Sequence, residues 1–151
     1  MSSAVSLAPE RHLVGTALKR GGYGIFLDLL EKSGVGETLE ESGPFTLFAP
    51  NDGAFERIPA ATMSKLKRAD QTAVLKSVMG FHFAAGRVLT ARLLGKRIRA
   101  TTFGGKTLHI NGVGGLKVNG AAVVDPDVLA SNGVLHGIDR LLWPREPDIV
   151  A

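Results

Sequence analysis

The stretch TLFAPNDGAF, Thr46 to Phe55, decides how this chain is read. The β-favouring run Phe45, Thr46, Leu47 and Phe48 lies between Pro44 and Pro50, as a short buried strand would. Asn51 or Asp52 then suits the first turn of a helix, where a side-chain oxygen accepts a free backbone N–H. The stretch is therefore a strand-to-helix corner with a carboxylate, Asp52, set between two hydrophobic anchors, Phe48 and Phe55. Two readings of that carboxylate stand side by side. It caps the corner, or it is a reactive or partner-binding group that the corner presents.

Upstream of the corner the apolar period is helical. Leu13, Val14, Ala17 and Leu18 form one stripe that Gly21 and Gly22 stop, and Ile25, Phe26, Leu29 and Leu30 form a second that ends at Ser33 and Gly34. Downstream, Pro59 permits only a helix start or a turn, a helix follows over Met63 to Lys67, and Asp70 is placed to cap another with the stripe Val74, Leu75, Val78 and Met79. FHF then alternates, and a short helical piece is expected around Thr90 to Leu94. From Lys96 onward the pattern is strand and turn: RIRATT, TLHIN, and LKVNGAAVV with an Asn119-Gly120 hairpin signal. VLHGIDRLLW is apolar on both faces, which suits a central strand. Helices first and strands last predict an α+β fold.

A chain of 151 residues, 44% hydrophobic and 21% charged, fits one globular domain. With no cysteine it has no disulfide, thiolate metal site or thiol nucleophile. No apolar run approaches the ~20 residues that span a bilayer, and no secretory signal is read at the start of the chain. The net charge of +4 is unevenly spread: no acidic residue falls between Asp70 and Asp125, while acids concentrate early, at Asp28, Glu31, Glu37, Glu40, Glu41 and Glu56. Such asymmetry steers an anionic partner or favours contact between copies, unless it is only a set of solvated faces.

The catalytic inventory is thin. His82, His109 and His136 invite a metal reading with Asp52 or Asp139, but none sits at the i, i+4 spacing of a zinc helix, so no metal and no cofactor is expected. Ser131 lies in the turn-like SNG, there is no G-x-S-x-G elbow, and NGVGG is explained by hairpin geometry. Arg92, Lys96, Arg97 and Arg99 are candidates for binding a polyanion or small ligand, with a solvated edge strand as the alternative. They lack interleaved aromatics, so nucleic acid is not the expected partner. Asp52, His82, His136 and Asp139 are embedded in apolar runs and are expected to form a polar core, with Asp52 and His82 paired, because a bare buried charge costs several kcal/mol. The same pair is the only candidate base for an enzyme.

Three blocks in order, GPFTLFAPNDGAF, FHFAAG and NGVLHGIDRLLWP, resemble the signature blocks of the fasciclin-like domain family. The resemblance covers residues 12–144 and leaves an extension at 1–11 and a tail at 145–151. Phe81 stands where the family usually has Tyr, and Ala84-Ala85 where Val-Pro is common. The resemblance implies a wedge or β-sandwich of about seven strands with helices packed alongside. It also implies a non-enzymatic adhesion or interaction module, exported to the periplasm or cell surface, that binds a protein or surface partner or self-associates. Asp52, His82 and His136 take the places of the acidic residue of the first block and the histidines of the other two. Asp125, Pro126, Asp127, Val128 and Leu129 occupy the place of an acidic motif associated with integrin binding in animal relatives. An ordinary turn is the plainer reading of DPDVL.

Overall fold

The computed structural model describes residues 13–36, 43–68 and 72–143. Residues 1–11 and 145–151, His12, Asp70 and Pro144 lie outside them. Helices α1 (Leu13–Arg20) and α2 (Gly24–Ser33) precede strand β1 (Phe45–Pro50). Short helices α3 (Asp52–Phe55) and α4 (Ala60–Lys67) follow, then α5 (Thr72–Gly80). The remainder is β2 (Phe83–Ala85), a 3-10 turn at Thr90–Arg92, β3 (Arg97–Thr101), β4 (Thr107–Asn111), β5 (Lys117–Val118), β6 (Ala121–Ala130) and β7 (Gly133–Ile138).

The seven strands run in the order β2-β1-β7-β6-β5-β4-β3. Only β1 and β7 pair in parallel; every other neighbour is antiparallel. The hairpin at Asn119-Gly120 forms because both residues take positive φ, 47° and 86°, the combination that Asn-Gly accepts most readily. Ten-residue β6 carries two register shifts, between Val123 and Asp125 and between Asp125 and Val128. Bulges of this kind bend a strand and increase its twist, so β6 is where the sheet turns over on itself. Its two edges meet at one end through the Ala84–Thr102 bridge and the hydrogen bond from Phe103 N to Phe83 O, 2.8 Å.

Folding over gives two cores. Phe45, Leu47, Ala49 and Leu135 face the helices and pack with Phe26, Leu29, Leu75 and Met79. Phe48, Leu108, Ile110, Val118 and Ile138 pack inside the fold. β1 serves both, because successive side chains of a strand point to opposite faces. β7 does the same as a central strand, with all of Gly133–Ile138 buried. The architecture is α+β, a folded-over seven-stranded sheet with helices alongside. The stripe read on α1 is narrower than expected: Leu13 and Ala17 are buried, but Leu18 is 70% exposed. DPDVL is not a turn; the bulges of β6 carry it, and its chain reversal falls instead at Ser131-Asn132.

Candidate functional site

Asp52 and His82 do not pair. Asn51 caps α3, its Oδ1 accepting from Ala54 N at 2.9 Å. That leaves Asp52 to reach back to another helix, where its Oδ1 accepts from Ile25 N at 3.0 Å in the first turn of α2. Tyr23, which precedes that helix, makes no side-chain cap bond, so the carboxylate supplies from outside what the local sequence lacks. Asp52 N also donates to Gly22 O, 2.8 Å. The corner thus fastens the α1–α2 turn to β1, and its side chain is half-buried.

His82 is completely buried and both ring nitrogens are used. Nδ1–H donates to Val78 O at 2.7 Å, and Nε2 accepts from Leu142 N at 3.0 Å. This ties the end of α5 to the segment after β7. Burial pushes its pKa down from 6.5 to about 4, outweighing the Val78 carbonyl, which favours the cation. His136, also buried, takes the opposite tautomer. Nε2–H donates to Val88 O at 2.8 Å and Nδ1 accepts from Asp127 N at 3.1 Å, with burial again lowering its pKa. Asp139, half-buried, accepts from Ala122 N at 2.9 Å and closes the far end of the β6–β7 pairing.

The two aspartates of 125–129 are bonded to the protein's own partners, Asp125 half-buried and Asp127 at the exposed surface. Arg20 grips Asp125 bidentately, with Nε and Nη2 at 2.7 and 2.6 Å, and Tyr23 Oη donates to the same carboxylate at 2.7 Å. The Arg20 bonds hold the Asp125 pKa below its ordinary value against the effect of burial, while burial first, and then Asp125, raise that of the Tyr23 phenol. Gly137, opposite Asp125 in β7, has no room for a side chain, since a methyl there would collide with Tyr23 Oη and Asp125 Cβ. Asp127, at φ 57°, accepts from Thr90 N and Oγ1 at 2.9 and 2.6 Å. Val128 is buried, and Pro126 and Leu129 are exposed. As a partner-binding motif the five residues therefore offer Pro126 and Leu129 outward, with both carboxylates engaged.

Of the basic candidates, Arg97 and Arg99 come together on the solvent face of edge strand β3. Arg92 is exposed on the preceding 3-10 turn, and Lys96 lies just before β3, its carbonyl accepting from Gly112 N. Two neighbours of Arg97 and Arg99 were not legible beforehand: His109, paired with Arg99, and Lys117, which pairs with Asn111 as Asn111 pairs with Arg97. Only the β-register reveals them. His109 therefore lies on this open face, away from the buried His82 and His136. Among the described residues no group of three His, Asp or Glu side chains converges as a metal site would need, and no helix is long and apolar enough to cross a membrane.

Residues 21–144 match the family model described as the fasciclin domain. The chain belongs to the fasciclin domain family. This fasciclin domain is 34% identical to protein sll1483 of Synechocystis sp. over 108 residues, 72% of the chain and 59% of that protein. It is 28% identical to sll1735 of the same organism over 131 residues, 87% of the chain and 96% of that protein. The chain thus spans less than two thirds of sll1483 and nearly all of sll1735. A FAS1 domain pair from the insect cell adhesion molecule fasciclin I shares the fold, with a TM-score of 0.79 at 22% identity over 95% of this chain and 53% of that one.

Proposed function

We propose that this domain is a non-enzymatic interaction module that binds a protein or surface partner from its outer faces, with self-association as one form of that contact. One observation carries the reading: both nitrogens of His82 and of His136 are bonded to backbone groups, so the histidines of the central and closing blocks act as fasteners between strands. Asp52, the partner a catalytic His82 would need, is spent on the α2 amide. What the fold leaves for recognition is its exterior, where Asp28 and Glu31 are exposed on α2, and Arg97, Arg99 and Lys117 are exposed on the strands. The adhesion role named for the insect relative comes to this chain as part of this proposal.

Beads coated with the folded domain test it. Saturable adhesion to a cell surface, or of beads to one another, that soluble domain competes away at physiological salt of about 0.15 M is the expected result. Inert beads under those conditions, or a hydrolytic or lyase activity that His82→Ala abolishes without lowering thermal stability, would overturn it.

A further inference from the structure

The register of β3, β4 and β5 sorts their side chains into an inner and an outer set, with Ile98, the inner-side partner of Ile110, left 36% exposed. Ala100, Leu108, Ile110 and Val118 pack into the inner core. The intervening residues must therefore point to the other face, since strand side chains alternate. Across that outer face Arg97 is level with Asn111 and Lys117, Arg99 with His109, and Thr101 with Thr107. All of these are exposed except Asn111, which is half-buried. Adjacent strands lie about 5 Å apart, so Arg97 and Lys117 are roughly 10 Å from one another with a neutral hydrogen-bonding residue between them.

The positive charge of this face is uncompensated. No Asp or Glu occurs anywhere from residue 71 to residue 124, which includes all three strands and the loops joining them. Among the described residues, no ion pair or hydrogen bond engages the side chains of Arg97, Arg99 or Lys117. Beside β4, where β5 stops, a groove lined by Phe81, Lys106, Thr107, His109 and Asn119 extends the face.

We propose that the outer face of β3, β4 and β5 is a binding site for an acidic polysaccharide, held by Arg97, Arg99 and Lys117. The proposal rests on the reading of the domain as an interaction module and names the ligand of one surface. Charge complementarity sets the anionic character of the ligand, and the guanidinium forks of Arg97 and Arg99 match carboxylate or sulfate groups bidentately. The neutral residues decide the polymer. Thr101 and Thr107 offer hydroxyl groups that sugar hydroxyls pair with, and Asn111, whose Oδ1 accepts from Val113 N at 3.0 Å, offers its amide N–H groups. A protein interface would need an apolar or aromatic centre; the outward positions of β3, β4 and β5 carry no apolar side chain, and Phe81 in the adjoining groove belongs to the inner core. A single nucleic-acid strand would need a row of stacking rings; Phe103, after the end of β3, is 56% exposed but has one ring face stacked on Phe83, with centroids 4.9 Å apart, and no second aromatic side chain lies on the outward positions of β3, β4 and β5.

Calorimetry with a polyuronate, dextran sulfate and neutral dextran tests this, the first two arms separating carboxylate from sulfate. The expected result is binding to one or both acidic polymers, weakening with salt, and no binding to neutral dextran. Arg97→Glu/Arg99→Glu and Lys117→Glu should each lose about tenfold or more in affinity with unchanged thermal melts, whereas Arg92→Glu stays within about twofold. Equal binding of neutral dextran, retention of the acidic polymers by the reversed variants, or tighter binding of single-stranded DNA would overturn the assignment. If those variants also keep full bead adhesion, only the site falls. Loss of adhesion by every form of the domain, wild type included, would remove the module reading itself.

Discussion

On the half of the sheet packed on both faces, β1, β6 and β7 bury His136 against Phe48 on the inner side and draw Asp125 into contact with Arg20 and Tyr23 beside the helices. On the open half, β3 to β5 leave His109, Arg97, Arg99 and Lys117 in solvent. The residue types are alike and their employment is opposite. Where a second layer covers the sheet, a polar side chain must be bonded or it costs free energy, so it becomes a fastener. Where no layer covers it, the same side chain is free for a ligand. Exposed charge in this protein is therefore informative about ligands in a way that charge engaged between layers is not.

The sharpest way to break this contrast is at Gly137. Gly137→Ala would drive a methyl into Tyr23 Oη and Asp125 Cβ and force apart the Arg20–Tyr23–Asp125 cluster. The expected loss is about 3 kcal/mol or more in urea unfolding. A loss near zero would mean that the covered half is far softer than its packing implies.

His82 provides the next largest effect, and it depends on pH. The unfolded chain takes a proton at this histidine near pH 6.5, whereas the folded site resists until about pH 4. Between those values the unfolded state holds more protons, so stability falls as pH is lowered through the window and levels off, for this group, below it. The shift corresponds to something on the order of 3 kcal/mol. His82→Asn, which cannot titrate, should flatten most of that slope; what remains belongs to His136, whose pKa burial also lowers, and, toward pH 4, to Asp125 and Asp127, whose pKa values lie below the ordinary carboxylate value. A wild-type stability that is flat across this range would contradict the fastener role.

Asp125→Ala follows, with an expected loss of about 1 kcal/mol that comes chiefly from the part-buried Tyr23 phenol bond, since the Arg20 pair lies at the exposed surface and is screened by solvent. Tyr23 is the sole tyrosine, so an absorbance titration reads it directly. Its pKa, raised first by burial and then by the Asp125 bond, should move down in the variant while staying above 10, since burial persists. An unchanged titration would remove Asp125 from the account.

Much of this contrast was legible and some was not, for one physical reason. The strand-to-helix corner at Pro50, the hairpin at Asn119-Gly120 and the edge position of RIRAT follow from local period and turn chemistry, and the structure has each in place. The partners were not readable, because they are set by how distant elements pack. Asp52 meets Ile25 across 27 residues, His82 meets Leu142 across 60, and Arg20 meets Asp125 across 105. The expected Asp52–His82 pair was a sound inference from the cost of buried charge, but it assumed that side chains satisfy side chains. Here the backbone does that work: each histidine satisfies two main-chain groups, and Asp52 satisfies two more through its side chain and its amide. Lys117 and His109 joined the basic face only once the pairing of β3, β4 and β5 was known.

The smallest expected effect is at His109, and it is the most discriminating. His109 has the same side chain as His82, 27 residues earlier, and as His136, 27 residues later. If covering layers decide what a histidine does, His109→Ala should change stability by no more than about 0.5 kcal/mol, because its side chain packs into neither core. The strand there is held by main-chain groups and Asn119: Asn119 Oδ1 accepts from His109 N at 2.7 Å, and Asn119 N donates to His109 O at 2.8 Å. Both bonds survive removal of the ring. Chemical unfolding of His109→Ala beside His82→Ala and His136→Ala checks this, with the two buried positions each expected to lose about 2 to 4 kcal/mol. Three similar losses would show that the open face is structural after all, and would take from it the freedom that ligand binding requires.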